Sequence, residues 1–141
     1  MGETELSTLT PRMMNWLARF GAHIATASKS GHPTTIVVES ATIDDGKYVT
    51  YQLSDAQRDQ IAGNIAENPY VAQAPHAIAA IRAAYQFKGP AKLEGNSLKV
   101  EIKEIYCTKP GPEAALRLDV LSMDQVIKFE ESRWRDVGPP K

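Results

Sequence analysis

The chain has 141 residues, a net charge of −1, a hydrophobic fraction of 43% and a charged fraction of 23%. That is the composition of one ordinary globular domain, in which folding buries roughly two-thirds of the unfolded chain's surface. The near-neutral charge shows no basic stripe of the kind that marks a nucleic-acid partner. No apolar run approaches the roughly 20 residues needed to cross a bilayer.

The opening "MGETELSTLTP" lacks the basic and apolar regions of a signal peptide, and a single cysteine, Cys107, excludes an intrachain disulfide. A cytoplasmic protein of one domain, 1–141, is expected, with no membrane association. The three histidines show no ligand spacing and there is no thiolate set, so no metal site is expected.

The first predicted element is a helix in "TPRMMNWLARFG": Thr10 suits the cap, Pro11 the first turn and Gly21 the stop. Met13, Met14, Trp16, Leu17 and Phe20 give it an apolar stripe. Three extended segments follow, "HIATAS" (23–28), "TTIVVESATI" (34–43) and "YVTYQL" (48–53), joined by "KSGHP" and by the D-G signal in "DDGK". Read locally, they form an antiparallel meander.

The next stretch, "SDAQRDQIAGNIAENPYV" (54–71), holds a helix. Ser54 and Gln57 fit a capping box, Ile61 and Ile65 form a buried i, i+4 edge, and Asn68-Pro69 ends it. Strand patterns resume with two segments up to residue 95, the clearer being "YQFKGPAKL" (85–93) with a bend at Gly89-Pro90. "SLKVEIKEIYC" (97–107) alternates at Leu98, Val100 and Ile102. A last helix, about 122–134, opens on a second capping box, Ser122 with Gln125. About six strands, a helix after the third and helices at both ends predict a mainly β fold with peripheral helices, a closed or nearly closed antiparallel barrel.

The phrases "IATASKSGHPTTIVV", "YVTYQLSDAQRDQIAGNIAENPYVA", "YQFKGPAKLEG" and "VEIKEIYCTKPGPEA", in this order and over about residues 23–118, resemble the FMN-binding split β-barrel proteins related to pyridoxamine 5′-phosphate oxidase, in their short flavoprotein branch. The resemblance implies a six-stranded split barrel, a homodimer with sites at its interface, and FMN as cofactor. It implies an FMN-dependent oxidoreductase fed by a nicotinamide or other small-molecule donor, with the acceptor unidentified. An FMN carrier without turnover, or a cofactor-free dimer binding another small ligand, are the alternatives. The flavin ring would lie along Thr34, Thr35 and Ile36, with Gln52 at its edge. The phosphate would meet Ser54, Arg58, Gln60, Ile61 and Asn64.

The basic or hydroxyl pair usual three and four residues before the helical Asn or Gln falls here on Gln60 and Ile61. An amide offers one neutral bond and an isoleucine side chain none, whereas charge-assisted bonds are about twice as strong. Asp55 and Asp59 add negative charge, and Arg58 is the one nearby cation. Residues 54–64 therefore read equally as a phosphate segment and as a helix whose isoleucines pack on the barrel. No catalytic acid or base is identified. Cys107 reads as a small buried hydrophobe, and Trp134, Tyr85 and Tyr106 as core or interface residues.

Overall fold

The computed structural model describes residues 6–75, 85–108, 112 and 114–134. Among them, eight strand segments and three helices follow in the order α1 (Pro11–Phe20), β1 (Ala22–Ala27), β2 (Pro33–Val38), β3 (Thr42–Asp44), β4 (Tyr48–Gln52), α2 (Asp55–Glu67), β5 (Tyr70–Pro75), β6 (Tyr85–Glu94), β7 (Ser97–Glu101), β8 (Glu104–Cys107) and α3 (Met123–Trp134). The fold is mainly β, as expected.

The strands form one antiparallel sheet in the order β2-β1-β5-β6-β7-β4-β3, with β8 also pairing β6. The predicted meander is corrected here. β1 and β2 form a hairpin in which Ile24 faces Ile36. The stretch read as one strand, 34–43, breaks after Val38, and β3 pairs β4 at the other end of the order. Only Glu39, Ser40 and Ala41 separate the two edge strands. A trans chain spans at most ~3.6 Å per residue, so those edges stand no more than about 14 Å apart. The sheet is thus curled into a half-barrel that covalent connection, not a hydrogen-bonded ladder, brings towards closure. It is open where a closed or nearly closed barrel of six strands was expected.

Turn chemistry sets the hairpins. Asp45 and Gly46 both take positive φ (51° and 68°) between β3 and β4, the primed-turn geometry that D-G favours. Gly95, at φ 58°, opens the two-residue loop between β6 and β7.

The strand read as 97–107 also divides. Leu98 and Val100 are buried on β7, but the ladder breaks at Ile102–Lys103 and resumes at Glu104. The break changes parity, so Ile105 and Cys107 face the core on β8. A one-residue slip moves every side chain to the opposite face. Opposite the break, Gly89 is required: a Cβ there would lie 1.7 Å from the Glu101 carbonyl oxygen.

The core gathers Ile24, Val49, Tyr51, Val71, Phe87 and Leu98 from the sheet. Met13, Trp16 and Leu17 of α1 pack on it, as the apolar stripe requires, with Met14 and Phe20 partly buried. Thr10 caps α1 by accepting from Met13 N at 3.2 Å. Its hydroxyl also donates to Glu130 on α3 at 2.6 Å, and the buried Tyr85 donates to the same carboxylate oxygen. That trio fastens α3 to the body. Ser122 and Gln125 form the expected reciprocal cap at its start (3.0 and 3.2 Å).

Candidate functional site

The residues singled out for cofactor binding fall on α2 and on the strand ends beside it. Ser54 caps α2, accepting from Gln57 N at 3.1 Å while Gln57 Oε1 accepts from Ser54 N at 3.0 Å. The same Gln57 amide donates to the Val37 carbonyl at 2.7 Å, so the capping box also fixes the helix against β2. Asn64, one turn from the helix end, donates to Thr26 Oγ1 at 3.0 Å, and Thr26 donates to the Thr34 carbonyl at 3.0 Å. This relay ties α2 to β1 and β2 and brings Asn64 and Thr34 together.

A second knot holds the helix start. Asn96, in the β6–β7 turn, donates to the Leu53 carbonyl (3.1 Å) and to Asp55 (2.8 Å). It accepts from Arg58 Nη1 at 2.8 Å. Arg58 also donates through Nη2 and Nε to Asp59, at 2.9 and 3.2 Å, with Asp55 3.9 Å away. Gln52 and Ser97 bond each other across β4 and β7 at 2.8 Å. Sequence reasoning overlooked Asn96 because nothing in the G-N turn signal says which side chains a turn will reach.

The remaining candidates separate by burial. Ile61 is 0% exposed and Ile36 4% exposed, so both side chains belong to the core. Ile61 and Ile65 are the residues α2 buries, the packing that their i, i+4 spacing predicts. Thr35 and Gln60 are exposed, on β2 and on the outer face of α2. The structure thus assembles Gln52, Ser54 and Arg58 at the start of α2, and Thr34 with Asn64 at its end. It withholds the side chains of Ile36 and Ile61 from any ligand outside the core.

A phosphate arriving at α2 would meet the capped helix N-terminus, where backbone N–H groups and the helix dipole favour an anion. Arg58 is engaged, but its Asp59 partner is largely exposed, and exposed pairs are worth about 0–1 kcal/mol. Turning the guanidinium towards a dianion therefore costs little. The donor set fits one cationic phosphate contact plus backbone groups; it does not fit a grip by the pair at positions 60 and 61.

Elsewhere the sheet carries a tyrosine–carboxylate cluster. Glu104 accepts from Tyr106 at 2.5 Å and from Tyr70, and these phenols hold its carboxyl below the usual range. The Tyr70 phenol is pushed up to about 12 by partial burial and by Glu104, and Tyr106 is raised chiefly by its bond to Glu104. Lys88 and Arg117 lie over the Tyr106 ring at 5.0 and 5.8 Å. On the opposite side, burial raises the Glu130 carboxyl despite its bonds from Thr10 and Tyr85. Cys107 is buried and free, in keeping with a packing role. His76 and Arg135, and the side chains of Arg133 and Trp134, lie outside the described residues.

Comparison with solved structures places this arrangement. HupZ from Group A Streptococcus superposes with a TM-score of 0.59 at 20% identity, covering 76% of this chain and 99% of that one. A provisionally assigned pyridoxamine 5′-phosphate oxidase from Lactobacillus delbrueckii superposes with a TM-score of 0.59 at 17% identity, covering 74% and 99%. The chain has the split-barrel fold. At these identities the likeness is one of fold alone. No protein-family model matches the sequence, and no characterised protein matches it at the sequence level. Among the described residues no helix is long and apolar enough to cross a membrane.

Proposed function

We propose that this protein is a cytoplasmic, homodimeric split-barrel flavoprotein that uses FMN as an oxidoreductase, taking electrons from a nicotinamide or similar small-molecule donor. The observation that carries the reading is the fold shared with a provisionally assigned pyridoxamine 5′-phosphate oxidase over nearly all of that chain. Thr34, Thr35 and the backbone of Ile36 would flank the ring, with Gln52 at its edge. Ser54, the first turn of α2, Arg58 and Asn64 would face the ribityl phosphate. FMN supplies the electron chemistry when bound, while the protein binds and orients it. The face of β1 and β5 turned from the core pairs Ala25 with Ala72 and His23 with Ala74, three small side chains and one imidazole against which a second copy would lie. The residues support a weaker hold on the phosphate than a basic pair would give.

The test is the visible absorption spectrum of the purified protein, before and after incubation with excess FMN and removal of free flavin. Retained flavin bands, followed by turnover with NADH or NADPH and an artificial acceptor, are the expected result. Retained flavin without turnover would make it a carrier.

A second reading is favoured by a specific observation: Ile61 sits in the core and Arg58 is held by Asp59 and Asn96. On that reading the chain keeps the barrel without FMN and binds another small ligand. A protein that stays colourless and leaves FMN fluorescence unquenched selects it.

A further inference from the structure

The break between β7 and β8 builds a cavity far from α2. At the break two N–H groups leave the strand ladder: Ile102 N donates to the Lys47 carbonyl at 2.9 Å, and Lys103 N to the Lys88 carbonyl at 2.8 Å. Such irregularities re-aim side chains and are over-represented beside functional sites. This one depends on Gly89, whose missing side chain lets the Glu101 carbonyl approach. The N-terminal segment is laid across the opening by two backbone bonds, Leu6 N to the Asp119 carbonyl (3.2 Å) and Leu9 N to the Gly46 carbonyl (2.6 Å).

The half-open cavity measures about 480 Å³, within the ~300–1,000 Å³ usual for small-molecule sites. Of its apolar lining, Leu9 and Ile105 are buried, and the accessible apolar wall comes from the half-buried Leu6 and Ile102 and the exposed Val120. Three cations, Lys47, Lys103 and Arg117, line it against two carboxylates, Glu101 and Asp119, a balance of +3 − 2 = +1. The carboxylates are already used: Glu101 meets Lys103 at 3.2 Å, and Asp119 takes Arg117 Nε at 3.0 and 3.1 Å. Asp119 also accepts from Ile105 N at 2.8 Å, which fixes it to the wall. Among the described residues the two Nη groups of Arg117 make no hydrogen bond, and Lys47 makes no ion pair. A guanidinium pinned through Nε, with its outer donors uncommitted, is preset for a planar or tetrahedral anion.

We propose that this cavity is a binding site for a small organic anion, with a carboxylate or phosphate-ester head held by Arg117 and Lys47 and a short apolar body against Ile102 and Val120. The site is independent of the flavin reading. Tyr48 pairs with Glu101 at the cavity end of β4, and Gln52 pairs with Ser97 at the α2 end. Four residues of strand separate them, about 13 Å.

The experiment is a titration of the ¹⁵N-labelled full chain, followed by amide NMR shifts, with phenyl phosphate, benzoate and the neutral benzyl alcohol. Saturable shifts at Lys47, Ile102, Lys103 and Arg117 are expected with at least one anion and not with the alcohol. The stronger anion identifies the head group. Lys47→Gln and Arg117→Gln should each weaken that binding about tenfold, the loss of one charge-assisted contact. Lys47→Gln removes no ion pair of the protein itself, so its spectrum away from the cavity should stay unchanged. No saturable shift with either anion up to about 20 mM, beyond the weakest specific range, would overturn the proposal. So would binding that survives both substitutions undiminished, or shifts confined to Ser54–Arg58.

Discussion

Position 61 decides between the two readings of α2, and Ile61→Thr separates them by stability. The side chain is fully buried and is one of only two that α2 buries. Shortening it to the volume of valine should cost about 0.5–1.5 kcal/mol. Replacing the remaining methyl by a hydroxyl that lacks a core partner adds about 1–3 kcal/mol. A threonine inside a helix can turn its hydroxyl to the carbonyl four residues back, here Gln57, which lowers the second part. The sum is about 1.5–4.5 kcal/mol before that reduction, a large share of a margin of roughly 5–15 kcal/mol. Urea unfolding followed by far-ultraviolet circular dichroism measures it, with Ile61→Val isolating the volume part at about 1 kcal/mol. The urea midpoint should fall while the slope stays constant, since the surface exposed on unfolding barely changes. A loss below about 1 kcal/mol would refute the reasoning, because position 61 would then not be core. If the same variant also gained FMN, the side chain would have to face the ligand.

Gln60 is exposed, so Gln60→Lys should change stability by no more than about 0.5 kcal/mol and tighten FMN about tenfold through one new charge-assisted contact; unchanged flavin affinity by fluorescence titration would show that position 60 does not reach the phosphate. Ser54→Ala deletes the acceptor for Gln57 N and should lower unfolding free energy by about 1 kcal/mol, read from urea midpoints. Gly89→Ala places a methyl against the Glu101 carbonyl and should cost about 3 kcal/mol or more, the upper end of overpacking, with cavity amides shifted in NMR spectra. Two carboxylates should give opposite pH slopes. The Glu130 carboxyl is raised, so its contribution is full below the unfolded value and is lost as pH rises through the folded one; Glu130→Gln should gain on the wild type as pH rises. The Glu104 carboxyl is lowered, so its contribution is present above the unfolded value and is lost as pH falls; Glu104→Gln should lose ground to the wild type above that value and recover towards it in acid. Urea midpoints across the acid-to-neutral range check both signs.

What was legible in the sequence was encoded within a few residues. Ser54 with Gln57, Ser122 with Gln125, Thr10 with Pro11, and Asp45-Gly46 each specify a cap or turn by contacts no more than four residues apart, and each formed. What was not legible depends on residues distant in the chain. The run 34–43 is β-branched or small apart from Glu39, and nothing local says that Glu39–Ala41 will carry the chain from one sheet edge to the other. In the same way Ile102 continues an apolar alternation. Only the approach of Glu101 to Gly89 and the bond from Ile102 N to Lys47 turn the strand there, shifting the core positions to Ile105 and Cys107. The cavity follows from that break, so its cations, 47, 103 and 117, looked like unrelated surface charges. The split barrel was recoverable from the order of elements because several weak local signals agreed, which is the condition for a sequence to specify one fold.

The candidate cofactor residues divide along the same line, and the division explains why α2 reads two ways. A helix turning 3.6 residues per turn puts positions 61 and 65 on one face and 60 and 64 about 100° round from them. The barrel needs an apolar edge on this helix, and the chain supplies isoleucine at 61 and 65. An anion held by side chains at 60 and 61 would have to draw on that same edge. Here packing has taken position 61, leaving an anion only position 60, the capped N-terminus and Arg58. If FMN binds, its phosphate must therefore be held by backbone donors and by a guanidinium released from Asp59. Phosphate affinity should then depend more strongly on Arg58 than on Gln60. Arg58→Ala, by leaving the helix N-terminus without a side-chain cation, should weaken FMN by at least tenfold, about 1.4 kcal/mol. Arg58→Lys keeps the charge but not the fork to Asn96 and Asp59, and should restore part of that affinity. Flavin binding that ignores both substitutions would place the phosphate elsewhere on the barrel, and the helix would then be a structural element alone.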